Sequence, residues 1–284
     1  MMADRDSFRR RLMLRGLLSA LLSCCVVAAT SSECVAENAA SAPSGVAKEN
    51  FHIYVLLGQS NMAGRGKMTA MDRQPVDGVY MLDANNKWQL AAHPLHFDKP
   101  SITGVGLGIN FAQTILDIAP HATIGLIPCA VGGTRLDQWS RGGKLYNASL
   151  ARARLGQQVG ELKGVLWHQG ESDSTDKLAP TYGTRLAQFI DDFRRDLEQP
   201  ALPFVVGELG HFRRDAHPQT DEINRQLHAL PSALPRVAVA SAAGLEDQGD
   251  KTHFDADSLK TFGRRYAEAI IESTSSGHSG SIND

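Results

Sequence analysis

Five short runs of apolar, β-branched and aromatic residues punctuate the chain: 51–57 (FHIYVLL), 123–128 (TIGLIP), 164–168 (GVLWH), 203–208 (PFVVGE) and 236–241 (RVAVAS). Runs this short, hydrophobic nearly throughout instead of alternating, are the pattern of strands covered on both faces. Between them, apolar residues recur three or four positions apart, the period of one helix face. Phe111, Ile115 and Ile118 form one such set, and Leu186, Phe189, Ile190, Phe193 and Leu197 a second. Ile223, Leu227 and Leu230 make a third, and Phe262, Tyr266 and Ile270 close the chain. Buried strands separated by helices predict an α/β fold, a doubly wound three-layer α/β/α sandwich around a central parallel sheet.

The first 36 residues break this pattern. Arg5, Arg9, Arg10, Arg11 and Arg15 precede an apolar stretch at 16–29 that has no polar face, so it does not read as an amphipathic first helix. It is also shorter than the roughly 20 residues a membrane span needs. With the small residues of 31–36 (SSECVA) it reads as an export leader cleaved after Ala36, which places the protein in the periplasm or outside the cell. Two variants of that reading are a lipobox at 21–24 (LLSC), which would leave a lipid anchor on Cys24, and a loose twin-arginine pattern at 10–15. The segment 37–50 is small, polar and interrupted by Pro and Gly, a linker, and 274–284 reads as a disordered tail. One domain, 51–273, remains.

The leader changes the meaning of composition. Over the whole chain 29 basic residues stand against 31 acidic; the leader holds 5 and 3 of them, leaving 24 against 28, a net charge of −4. Nothing in that balance suits phosphate binding, which needs clustered Lys and Arg, so nucleic acid is not an expected partner. Three of the four cysteines, Cys24, Cys25 and Cys34, lie in the leader, so only Cys129 stays and no intramolecular disulfide can form. His93, His96 and His121 lack metal-ligand spacing, and no metal is expected. Neither a stable protein partner nor an oligomeric state is legible.

In a doubly wound sheet the ligand site lies beyond the carboxyl ends of the strands. The loops there are 58–64 (GQSNMAG), 129–134 (CAVGGT), 169–173 (QGESD), and the loop before the last helix that contains Asp250 and His253. Ser60 directly follows the first strand, where a serine can be a helix cap or a nucleophile. A serine hydroxyl is a poor nucleophile at neutral pH unless a base takes its proton, and a histidine does so when a carboxylate fixes its tautomer. Asp250 and His253, separated by two residues, can fold in one turn so that the carboxylate meets Nδ1 and leaves Nε2 facing outward. Together with Ser60 they read as a catalytic triad.

Five segments in order carry a family resemblance: GQSNMAGRG at 58–66, GVGLGINFA at 104–112, IGLIPCAVGGTRLDQW at 124–139, VLWHQGESD at 165–173 and DKTHF at 250–254. They resemble the SGNH-type carbohydrate esterases, in the branch of carbohydrate esterase family six and the sialate O-acetylesterase-like domain. The likeness covers nearly all of 51–271. It implies a flavodoxin-like SGNH-hydrolase sandwich working without cofactor or metal, with Ser60 as nucleophile, His253 as base and acid, and Asp250 as its orienter. It also implies an oxyanion hole from the Ser60 and Gly132 NH groups, with the Gln169 side-chain amide as third donor where many relatives use Asn.

Other residues carry less. His168, inside a strand, reads as a core histidine, and Glu171 as a carboxylate that holds the Gln169 loop. Arg135 and Trp139 suit either a sugar subsite or, for Trp139, simple packing. Asn147 begins an N-x-[ST] sequon, which a bacterial-type leader makes an improbable glycosylation site. The reading as a whole is an exported serine esterase acting on acetylated carbohydrate, acetylxylan-like polysaccharide or O-acetylated sialic acid. The alternatives are an SGNH lipase or thioesterase on other short acyl esters, and a non-catalytic carbohydrate-binding member of the fold.

Overall fold

A computed structural model describes residues 41–275. The leader with its three cysteines and the residues of the tail beyond 275 lie outside the described residues. Within 37–50, Lys48–Asn50 forms one 3-10 turn, and Val46 packs on the core.

Among the described residues seven strands make one sheet: β1 (Phe51–Gly58), β2 (Val76–Leu82), β3 (Trp88–Ala91), β4 (Thr123–Pro128), β5 (Glu161–His168), β6 (Phe204–Gly207) and β7 (Val237–Ala240). Their order is β3-β2-β4-β1-β5-β6-β7. All neighbours are parallel except the β2–β3 hairpin, which adds an antiparallel edge to the expected parallel sheet. The helices are α1 (Ser60–Ala63), α2 (Gly108–Ile118), α3 (Lys144–Val159), α4 (Tyr182–Asp196), α5 (Gln219–Ala233) and α6 (Ala256–Ser275).

The period-two geometry of β1 shows how the layers form. Phe51, Ile53, Val55 and Leu57 face one core, shared with Leu150 of α3, Phe189 and Phe193 of α4 and Leu227 of α5. Tyr54 and Leu56 face the opposite core, shared with Phe111 and Ile115 of α2 and Phe262 and Tyr266 of α6. A strand buried on both sides has no polar face to display, which is why its sequence is apolar nearly throughout.

The chain leaves β1 toward β2 and β4 on one side and later builds β5, β6 and β7 on the other. The crevice of such a sheet opens where the connections reverse, beyond the ends of β1, β4 and β5. Ser60, Gly132 and Glu171 follow those three strands.

Candidate active site

Ser60 reaches the crevice because β1 ends on Gly58. Its φ is +131°, and a Cβ there would sit 2.0 Å from the His168 carbonyl oxygen at the end of β5. Only glycine permits that approach. The Gln59 NH then donates to the same carbonyl at 2.9 Å, and the chain turns at once into α1 with Ser60 as its first residue.

His253 arrives from a loop braced by another carboxylate. Asp247 Oδ1 accepts the Gly249 NH at 2.7 Å and its Oδ2 the Lys251 NH at 3.0 Å, while the Gln248 NH donates to the His253 carbonyl at 3.0 Å. These bonds hold Lys251 at φ +57° and present the next residues to α1. His253 Nε2 lies 3.0 Å from Ser60 Oγ, and Nδ1 lies 2.7 Å from Asp250 Oδ2. Asp250 Oδ1 meanwhile accepts the NH groups of His253 at 2.7 Å and Thr252 at 2.9 Å. Partial burial opposes ionisation of Asp250, but the His253 backbone and ring bonds and the Thr252 bond outweigh it and hold the carboxyl at about 2. The arrangement is therefore a hydroxyl, an imidazole and an ionised carboxylate in series, with Ser60 and His253 lining a cleft of about 390 Å³.

Two of the oxyanion donors implied by resemblance are placed differently. Gln169 is fully buried, and its amide nitrogen donates to Asp173 Oδ2 at 2.7 Å, the Thr134 carbonyl at 3.1 Å and Gln59 Oε1 at 3.2 Å. Its hydrogens are engaged by acceptors inside the domain, where the side chain braces the loops around it. Gly132 does line the cleft, but its NH donates to Asp98 Oδ2 at 2.8 Å, and that carboxylate also pairs with Arg65 Nη2 at 3.0 Å. The NH groups of Ser60 and Gly133 have no hydrogen-bond partner among the described residues.

Neither Arg135 nor Trp139, the two residues suited to a sugar subsite, lines the cleft. Trp139 is fully buried, with Nε1 donating to Thr134 Oγ1 at 3.1 Å and its ring edge-on to Trp167 at 5.5 Å. Arg135 points outward and pairs with Asp137 at 2.9 Å, outside the lining of the cleft.

Glu171 has a role distinct from the loop-holding one read for it. Its Oε1 accepts Asn61 Nδ2 at 2.5 Å and lies 3.4 Å from His168 Nε2. Burial opposes its ionisation, yet His168, Arg213 and Asn61 together hold its pKa at about 2. His168 is a buried ring whose Nδ1 meets the Tyr266 hydroxyl at 3.1 Å. His93 and His96 are buried too; desolvation lowers them to about 4 and about 3, so both stay neutral near pH 7. Sequence reasoning did not single out Asn61, Arg65, Asp98, Asp247 or Arg213. For Asn61 and Arg65 a signal existed, since both stand inside the GQSNMAGRG segment that contains Ser60.

Known proteins resemble the chain over most of its length. Residues 50–272 match the family model described as carbohydrate esterase, sialic acid-specific acetylesterase. A probable carbohydrate esterase of Arabidopsis thaliana is 32% identical over 239 residues, 77% of this chain and 90% of that protein. An Arabidopsis thaliana crystal structure at 32% identity superposes with a TM-score of 0.72, covering 79% of this chain and 98% of that one. The fold is shared as well by NanS, at 17% identity and a TM-score of 0.68, covering 81% of this chain and 99% of that one. It is shared also by a carbohydrate acetylesterase of Xanthomonas citri, XAC1771, at 19% identity and a TM-score of 0.60, covering 79% of this chain and 57% of that one. The chain thus belongs to the carbohydrate esterase, sialic acid-specific acetylesterase family, and its chemistry is that of a carboxylic ester hydrolase.

Proposed function

We propose that the protein removes O-acetyl groups from carbohydrate through an acetyl-enzyme on Ser60. The observation that carries this reading is the unbroken series from Ser60 Oγ to His253 Nε2 at 3.0 Å and from His253 Nδ1 to Asp250 at 2.7 Å. His253 takes the hydroxyl proton as Ser60 attacks the acetyl carbonyl, and Asp250 stabilises the imidazolium that forms. Negative charge then collects on the former carbonyl oxygen, where each preorganised NH donor is worth roughly 3 kcal/mol of barrier. The Ser60 and Gly133 NH groups, unpartnered and at residues lining the cleft, are the donors best placed for it. Collapse expels the sugar oxygen, which receives the proton from His253. Water activated by the same ring then hydrolyses the acetyl-enzyme, and none of these steps draws on a cofactor.

Charged lining favours a polar substrate over a long acyl chain, because Arg65, Lys99, Glu171 and Arg213 all border the cleft. A direct test is hydrolysis of 4-nitrophenyl acetate by the protein and by Ser60→Ala. Activity confined to the unmodified protein supports the reading, and equal rates refute it. Export is part of the same proposal and rests on the leader in the sequence. After fractionation of a bacterial host, periplasmic protein should begin at Glu37; protein confined to the cytoplasm with Met1 intact refutes export, and membrane-bound protein whose chain begins at a lipidated Cys24 replaces secretion with anchoring.

A further inference from the structure

Two successive glycines, Gly132 and Gly133, line the cleft together with Ser60. Glycine is the least restrained backbone residue, so such a pair keeps one orientation only if something outside it fixes the peptide planes. Gly133 is at φ +79°. Its NH has no hydrogen-bond partner among the described residues, whereas the Gly132 NH donates to Asp98 Oδ2 at 2.8 Å. One amide of the pair is thus anchored, and the next is left free at the cleft.

The anchor is itself held. The Asp98 side chain is 2% exposed and does not line the cleft, so it acts on the turn and not on substrate. Arg65 Nη2 pairs with the same Oδ2 at 3.0 Å, and Arg65 Nη1 donates to the Gly64 carbonyl at 2.8 Å. Gly64 closes α1, and its NH donates to the Ser60 carbonyl at 2.9 Å. One ion pair therefore ties the helix that begins with Ser60 to the glycine turn. The fit leaves no room for a side chain at Gly132, where a Cβ would lie 2.4 Å from Arg65 Nη2 and 3.1 Å from Asp98 Oδ2.

The pair also controls charge. A lone carboxylate this near the cleft would oppose the negative charge that develops as an ester is cleaved, and Arg65 offsets it. Burial opposes ionisation of Asp98, but the Gly132 NH and Arg65 outweigh it and keep its pKa below the ordinary carboxylate value.

We infer that Asp98, neutralised by Arg65, is a positioning residue: it holds the Gly132 amide so that the Gly133 NH is presented to the oxyanion. The inference rests on the esterase reading and assigns a residue that reading does not use. A donor fixed in advance stabilises the transition state, and one that must first be reoriented contributes less.

Two measurements test it. In protein carrying isotope-labelled glycine, Ser60 is phosphonylated with ethyl 4-nitrophenyl methylphosphonate. Ser60 Oγ bonds to phosphorus and displaces 4-nitrophenolate, whose absorbance counts the adduct, and the phosphoryl oxygen takes the oxyanion position. By NMR the Gly133 amide proton should shift downfield on adduct formation while the Gly132 amide proton keeps its place. In kinetics, Asp98→Ala should lower kcat on 4-nitrophenyl acetate by roughly 10- to 100-fold with KM within about threefold. Asp98→Asn, which keeps an oxygen acceptor for the Gly132 NH, should fall between Asp98→Ala and the unmodified protein.

A downfield shift at Gly132 in place of Gly133, or an Asp98→Ala kcat within about threefold of the unmodified value, overturns the inference. The spectra need no variant, so they decide even where Asp98→Ala fails to fold. An adduct that leaves the Gly133 signal unmoved refutes this inference alone. Absence of both adduct and 4-nitrophenyl acetate hydrolysis refutes the esterase reading, and this inference with it.

Discussion

Asn61 holds the backbone on both sides of His253. Its Oδ1 accepts the Phe254 NH at 3.1 Å, and its Nδ2 donates to the Thr252 carbonyl at 3.1 Å as well as to Glu171. The residue next to Ser60 thereby fixes the position of His253, across more than 190 residues of sequence. Asn61→Ala should lower kcat by roughly 10- to 100-fold with a smaller change in KM, because misplacing the base affects the transition state more than ground-state binding. Steady-state kinetics on an acetyl ester check this. A change confined to KM would show that Asn61 contacts substrate and does not position His253.

Asp250 offers a second test. With its carboxyl held at about 2, it stays ionised across the working range. Asp250→Asn should therefore reduce kcat at every pH between about 5 and 9, by roughly 100-fold or more, without adding a new limb to the profile. A loss restricted to acid pH would contradict the assigned role.

Glu171 links the site to stability. Its pKa falls from an ordinary 4.5 to about 2 in the folded protein. A carboxylate depressed in this way stabilises the fold fully above its unfolded value, and that contribution fades as pH drops from about 4.5 toward 2. The effect is on the order of 3 kcal/mol for a fully buried group. Thermal unfolding should show a steep loss of Tm over that window, and Glu171→Gln should lower Tm at neutral pH while flattening the acid slope. An unchanged slope in the variant would assign the acid sensitivity to other carboxylates.

Gln169→Leu separates a brace from an oxyanion donor. Its amide bonds to Asp173, Thr134 and Gln59 are internal, so the change should cost about 3 kcal/mol of stability while kcat of the folded fraction stays within roughly threefold. Loss of an oxyanion donor would instead reduce kcat by about 100- to 1,000-fold with little change in Tm.

The central strands are plain in the sequence because burial on both faces leaves an apolar run, and the pairing of Asp250 with His253 is plain because they lie within one turn. The elements missed lack such contrast. β2 is broken by Gly78 at φ +75° and by a register shift between Val76 and Tyr80, and β3 has only four residues. α3 buries Ser149, Ala153 and Gly156 beside Tyr146 and Leu150. A Cβ at Gly156 would lie 2.8 Å from Ile127, so close packing against the sheet demands small residues that carry almost no apolar signal. Trp139 was read two ways because an aromatic residue past a glycine pair suits both a sugar face and a core. Arg213 has no sequence signal for a different reason: its burial beside the cleft is a property of what folds around it.

Acetate release from an O-acetylated sugar, measured side by side for the protein and for Ser60→Ala from matched preparations, tests the central claim most directly. The unmodified protein should release acetate, and Ser60→Ala should be slower by at least about 1,000-fold while keeping the same Tm. Equal release by both proteins would contradict an acetyl-enzyme on Ser60.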